Sequence, residues 1–104
     1  MALEVTQENF EQVVLQSKKP VLLDFWTTWC SPCLMVGKSI DKLYEEMSDV
    51  VIAKINAEEN KELSTKYQIS SVPTILLFKD GVVVKRIEGL ISYTKLKDEI
   101  LLLL

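Results

Sequence analysis

The run Val21-Leu22-Leu23-Asp24-Phe25-Trp26-Thr27-Thr28-Trp29-Cys30-Ser31-Pro32-Cys33-Leu34-Met35-Val36 holds the only two cysteines of the chain, and its reading decides the fold. Its first six residues are almost continuously apolar, the pattern of a strand covered on both faces of a sheet. After the cysteines, Ile40, Leu43, Tyr44 and Met47 recur at helical spacing, so a long amphipathic helix follows. Cys30 and Cys33 therefore stand where a buried strand hands over to a helix. In sheets built this way, functional groups gather at such junctions.

Working outward, Thr6 is placed to N-cap a helix from Gln7 to about Gln16. Val5 and Phe10 would form a hydrophobic staple there, with Phe10, Val13 and Val14 on one face. Pro20 punctuates before the strand Val21 to Trp26. Val50 to Ile55 reads as another buried strand, and Asn60 opens a short helix containing Leu63 and Tyr67. Val72-Pro73-Thr74 leads into a strand from Thr74 to Lys79. Asp80-Gly81 is a tight-turn signal, so that strand and Val82 to Glu88 form an antiparallel hairpin. After Gly89, Ser92 caps a last helix with Tyr93, Leu96, Ile100 and Leu103 on one side, and Leu101 to Leu104 is its frayed end. The order βαβαβαββα predicts an α/β fold, a central mixed five-stranded sheet flanked by four helices, with parallel strands first and the antiparallel hairpin last.

A chain of 104 residues supports one hydrophobic core, so residues 1–104 are expected to form one domain. An apolar fraction of 48% beside 26% charged residues fits a packed domain and not a disordered chain. The net charge of −3, with Lys and Arg spread along the chain, leaves no basic stripe for a phosphate backbone, which argues against a nucleic-acid ligand. The start lacks a basic segment followed by an apolar one, and no run is long enough to span a bilayer. The expectation is a cytoplasmic monomer without a membrane partner. The chain has no histidine, which removes Ser-His-Asp and Cys-His nucleophiles and the usual imidazole ligands of zinc.

In the first turn of a helix, residues three apart hold their Cβ atoms roughly 5–6 Å from each other, close enough for a reversible disulfide. Pro32 fits between them, because the first turn has amides to spare. The helix N-terminus carries partial positive charge and unpaired N–H groups that stabilise a thiolate, so Cys30 should be the acidic, attacking thiol. Lowering its pKa from about 8.5 to about 7 would raise the ionised fraction at neutral pH more than tenfold. Cys33, one turn deeper and followed by Leu34-Met35-Val36, should be the shielded, resolving thiol. Three other readings stand beside this one: half of a dimer-bridged zinc site, a purely structural disulfide, and two incidental buried thiols. The first lacks further Cys or His ligands. The second would constrain little chain entropy, and the third leaves the strand-to-helix placement with its proline unexplained.

Asp24 is a carboxylate inside an apolar strand. Burial there should raise its pKa towards neutrality and make it a proton acceptor near the thiols, unless it reaches solvent or a backbone N–H at the strand end. Trp26 reads as core packing beneath the loop.

Taken together, Val21 to Trp26 followed by Trp29-Cys30-Ser31-Pro32-Cys33, then Val72-Pro73-Thr74, the strand with Phe78, Lys79-Asp80-Gly81 and Gly89, resemble the thioredoxin family along nearly the whole chain. The resemblance implies a protein-disulfide reductase with a redox-active Cys30–Cys33 disulfide and no bound cofactor, acting on disulfide-containing proteins and recharged by a reductase, a flavoprotein by analogy. It implies a cis Pro73 beside the cysteines, although a proline at a strand entrance is by itself usually trans. It gives Val72 backbone pairing with a bound substrate segment, and makes Trp29, Val72, Pro73 and Gly89 an apolar docking patch. Ser31 and Pro32 of the loop join that substrate-facing set. Asp24 would deprotonate Cys33 through water, with Lys54 of a neighbouring strand as compensating charge, whereas the residues alone also allow Lys54 to be a surface lysine.

Three positions depart from the family. Ser31 replaces the commonest glycine and adds a hydroxyl within reach of a thiolate. Leu34 replaces a basic residue, and Lys38 stands in place of a helix-kinking proline, with Gly37 beside it. Two rival functions remain at this level. One is the same exchange run in the oxidising or isomerising direction, as in relatives with His where this chain has Pro32. The other is a binding module of the same fold without turnover.

Overall fold

The computed structural model describes residues 2–104. Strands β1 (Leu3–Val5), β2 (Val21–Trp26), β3 (Val51–Asn56), β4 (Thr74–Lys79) and β5 (Val82–Glu88) form one sheet in the order β1-β3-β2-β4-β5. A short π-helix (Glu11–Leu15) precedes β2, and helices α1 (Ser31–Glu46), α2 (Lys61–Lys66) and α3 (Tyr93–Leu101) complete the expected order. The pairs β1–β3 and β2–β3 are parallel, and β2–β4 and β4–β5 are antiparallel. This is the mixed sheet anticipated from the pattern.

Strand β2 lies at the centre and carries no exposed edge, which is why its sequence is apolar on both faces. Leu22 packs with Val36, Ile40, Leu43, Leu96 and Ile100 under α1 and α3. Val21, Leu23 and Phe25 point to the opposite face, among Phe10, Val14, Leu63 and Phe78. Alternation along the strand turns Asp24 to the α1 side, level with Lys54 of β3. The site is thus set by which side of one strand each residue occupies.

The first helix differs from its expected form. Gln7 to Asn9 form a turn, and the helical segment that follows is a π-helix closed by the Gln16 amide donating to Glu11 O at 2.9 Å. Side chains satisfy the amides that a helix N-terminus would otherwise leave open. Asn9 Oδ1 accepts from the Thr6 amide at 2.8 Å, and Asn60 Oδ1 accepts from the Gln7 amide at 2.9 Å. Asn60 precedes α2 as expected, but its side chain is spent on Gln7 and on Asn56 O, so it does not cap that helix. On α1 the buried stripe is Cys33, Val36, Ile40 and Leu43, and Tyr44 lies at its exposed margin. Helix α1 runs unbroken through Gly37 and Lys38. Ser92 caps α3 as expected, its Oγ accepting from the Lys95 amide at 3.2 Å. Leu103, just past the helix end, still packs on the core.

The β4–β5 hairpin turns through Asp80 (φ 54°) and Gly81 (φ 77°), the two consecutive positive angles of a type I′ turn. A Cβ on Gly81 would lie 3.0 Å from Leu15 O, whereas one on Gly37 meets nothing within 4 Å. Gly81→Ala is therefore expected to destabilise the protein by about 1–3 kcal/mol. Gly37→Ala, inside α1, should stabilise it by about 0.5–1 kcal/mol. Urea unfolding midpoints of the two variants should move in opposite directions; shifts of the same sign would refute this account of the turn.

Candidate active site

Helix α1 begins directly after the loop that leaves β2, and Cys30 is its N-cap residue. Cys30 Sγ accepts a hydrogen bond from the Cys33 amide at 3.1 Å, the position where a helix N-terminus offers an unpaired donor. Pro32 occupies the first turn at no cost in hydrogen bonds. The two sulfurs are bonded to each other as a disulfide with Cα atoms 5.2 Å apart.

The sulfurs face different surroundings. Cys30 Sγ lies 3.7 Å from Val72 O, on the loop that ends in the cis Val72–Pro73 bond. That loop is fixed at both ends: Gly89 N donates to Pro73 O at 2.9 Å, and Thr74 Oγ1 donates to Ser71 O at 2.7 Å. Gly89 has φ 85°, which lets β5 end against the proline. Trp29, 69% exposed, stands beside Cys30, and Ser31 and Pro32 are exposed at the helix start. Val72 is half-buried and Pro73 buried. The exposed Leu34 and Met35 extend the apolar surface along α1.

Cys33 instead lines a cleft of about 510 Å³ with Asp24, Trp26, Thr27, Gly37, Lys38, Asp41 and Lys54. Asp24 is 2% exposed, and burial pushes its pKa up to about 7 against the partial opposition of the Lys54 charge. No ion pair joins the two among the described residues. Lys54 Nζ lies 5.5 Å from the centre of the Trp26 ring, so it acts on Asp24 through the field of the cleft and not by contact. Trp26 is half-buried, with its indole N–H enclosed.

Three further residues placed at or near the site carry little signal in the sequence. Asp41 follows Cys33 by eight positions, two turns along the same helix face, a spacing that could have flagged it. Thr27 directly follows the apolar strand and belongs to no periodic pattern. Arg86 donates from its guanidinium to Tyr67 O at 2.7 Å and to Gln68 O, tying the end of α2 and the start of the Val72–Pro73 loop to β5, and only the fold brings these segments together.

A close-spaced cysteine pair joined as a disulfide at a helix N-terminus is the site of a thiol–disulfide oxidoreductase. The family model described as Thioredoxin matches residues 1–101. Thioredoxin 1 of Synechococcus elongatus is 41% identical over 99 residues, 94% of this chain and 92% of that protein. A thioredoxin of Mycobacterium bovis is 46% identical over 88 residues, 84% of this chain and 76% of the relative. A bifunctional thioredoxin reductase/thioredoxin of Mycobacterium leprae is 42% identical over 90 residues, covering 86% of this chain and 20% of that longer protein. The chain belongs to the thioredoxin family.

A carboxyl that ionises near 7 in the folded protein, against an ordinary value of 3.8, makes the folded state bind the extra proton between those pH values. Its contribution to stability is present below pH 4 and lost as pH rises through 7, on the order of 4 kcal/mol in all. Asp24→Asn should flatten this slope and leave the oxidised protein more stable than the parent at pH 8. Denaturation at pH 5 and pH 8 measures it, and parallel pH profiles for the two proteins would contradict the assignment.

Proposed function

We propose that the protein is a general reductant of protein disulfides in a reducing compartment such as the cytoplasm, working as a monomer. The observation that carries this reading is the Cys30–Cys33 pair, with one sulfur facing the Val72–Pro73 loop and the other the Asp24 cleft. In the dithiol form, the Cys30 thiolate attacks one sulfur of a substrate disulfide. An S–S bond forms to Cys30, and the other substrate sulfur leaves with the electron pair and takes a proton from solvent. Cys33 gives its proton to the Asp24 carboxylate, and its thiolate then attacks Cys30 Sγ. The mixed disulfide breaks, the second substrate sulfur leaves as thiolate, and two electrons have passed from the protein to the substrate.

Val72 would pair its backbone with the extended substrate segment, while Trp29, Pro73, Gly89, Ser31 and Pro32 form the surface against which it lies. Lys54 moderates the acidity of Asp24. The dithiol is regenerated by a flavoprotein reductase of the thioredoxin-reductase kind, a partner supported by the relative that carries both names on one chain. The reducing direction is favoured by Pro32, which offers no cation to stabilise the reduced thiolate as a histidine there would.

Insulin disulfide reduction by dithiothreitol should accelerate in the presence of the protein, and Cys30→Ser should abolish the acceleration. Cys33→Ser should accumulate a mixed disulfide on Cys30, detectable as a mass increase. If the Cys30→Ser, Cys33→Ser double variant still supports the protein's cellular role, the exchange chemistry is incidental and the reading fails.

A further inference from the structure

Among the described residues, three buried side-chain polar atoms have no protein hydrogen-bond partner, and their residues lie close in the chain: Asp24 Oδ1, Trp26 Nε1 and Thr27 Oγ1. Their residues all line the cleft that contains Cys33. Leaving one such group unsatisfied costs about 1–3 kcal/mol, so three at one place favour water held against them at the enclosed wall of that cleft. At about 510 Å³ the cleft has ample room, and the few polar groups in its mostly apolar lining offer that water its partners.

The three atoms differ in what they can do. An indole N–H only donates and a carboxylate only accepts, whereas a hydroxyl does both at once and can take one proton while releasing another. Thr27 is 4% exposed and lines both the Cys33 cleft and the groove beside Trp29 and Val72. Thr27 therefore belongs to the wall between the Asp24 cleft and that groove.

We propose that Thr27 is a positioning residue for the resolving step, its hydroxyl organising and relaying the proton path from Cys33 to Asp24. This rests on the reading of Cys33 as the resolving thiol and Asp24 as its base. The Cys33 S–H bond breaks and its proton enters a water of the cleft. That water gives a proton to Thr27 Oγ1, whose own proton passes on through water to the Asp24 carboxylate, leaving the hydroxyl unchanged. The electron pair left on Cys33 Sγ forms the bond to Cys30 Sγ, and the substrate sulfur departs with the pair of the broken mixed disulfide. Facing this path are Lys54 from β3 and Lys38 and Asp41 from α1, with Glu58 and Lys61 on the groove side of Thr27. Substitution at Thr27 leaves all of these charges in place.

Thr27→Val and Thr27→Ala remove the hydroxyl with different side-chain volumes, and Thr27→Ser keeps it. Single-turnover reduction of insulin between pH 6 and 9, with acid-quenched separation of the mixed disulfide, reads the resolving step alone. Both hydroxyl-free variants should resolve the intermediate about fivefold more slowly at pH 7, the equivalent of one hydrogen bond, with the acid limb displaced to higher pH because the water that donates to the carboxylate loses its anchor. Thr27→Ser should keep at least half of the parental rate, and iodoacetamide should alkylate Cys30 at the parental rate in every variant. Superimposable pH profiles for the parent and the hydroxyl-free variants overturn the proposal, as does a serine variant as slow as the valine one. Loss confined to Cys30 alkylation overturns it too. Asp24→Asn run in parallel separates the two readings. If it resolves at the parental rate, the base assignment has failed. If it slows resolution while Thr27→Val and Thr27→Ala do not, only the relay has failed.

Discussion

Strand β2 is hydrogen-bonded on both sides, parallel to β3 and antiparallel to β4, and each part of the site takes its place from that strand. Because no edge of β2 is open, its side chains are enclosed on both faces, and a carboxylate at Asp24 cannot escape to solvent. Its register partners, Lys54 in β3 and Ile75 in β4, leave it one distant cation and no hydrogen-bond donor for Oδ1. An ionisable group in that setting is driven towards its neutral form by the cost of desolvation. The same strand delivers the chain, at the centre of the sheet, to the N-terminus of α1.

The two sulfurs, three residues apart in count and one helical turn apart in space, are given unlike neighbours. Cys30 sits at the helix end against Val72 O, on the side where the half-buried Val72 and exposed Trp29 offer a surface. Cys33 is turned inward to the cleft shared with Asp24 and Lys54. A helix turn is what makes this division possible, since residues three apart remain within bonding range while their side chains project from different points on the helix. Arg86 holds the far side of the arrangement, because its hydrogen bonds to Tyr67 O and Gln68 O anchor the segment leading to Pro73.

Much of this was legible in the residues. The apolar run of β2, the Asp80-Gly81 turn and the Ser92 cap each rest on local chemistry that neighbouring chain segments do not alter, and each formed where expected. The segment after Thr6 carries a helical pattern from Gln7, but Asn9 and the distant Asn60 supply acceptors for the amides that would open such a helix. Tyr44 fits helical spacing as well as Leu43 does; only the angle at which α1 meets the sheet decides which of the two is buried. Thr27 carried no periodic signal at all. Its importance comes from the closing of a cleft by β2, β3 and α1 around it.

By itself the sequence determined the alternation of strands and helices, the placing of a cysteine pair at a strand-to-helix junction, and the presence of a carboxylate in the most apolar strand. These are properties of short segments, set by periodicity, capping and turn chemistry. Tertiary structure alone decided that Asp24 and Lys54 share a register without touching, that Cys33 opens to their cleft while Cys30 meets Val72, and that a threonine hydroxyl is buried there without a partner. The reason is physical: desolvation and field strength depend on everything packed within several ångströms, and that environment is assembled from segments far apart in the chain.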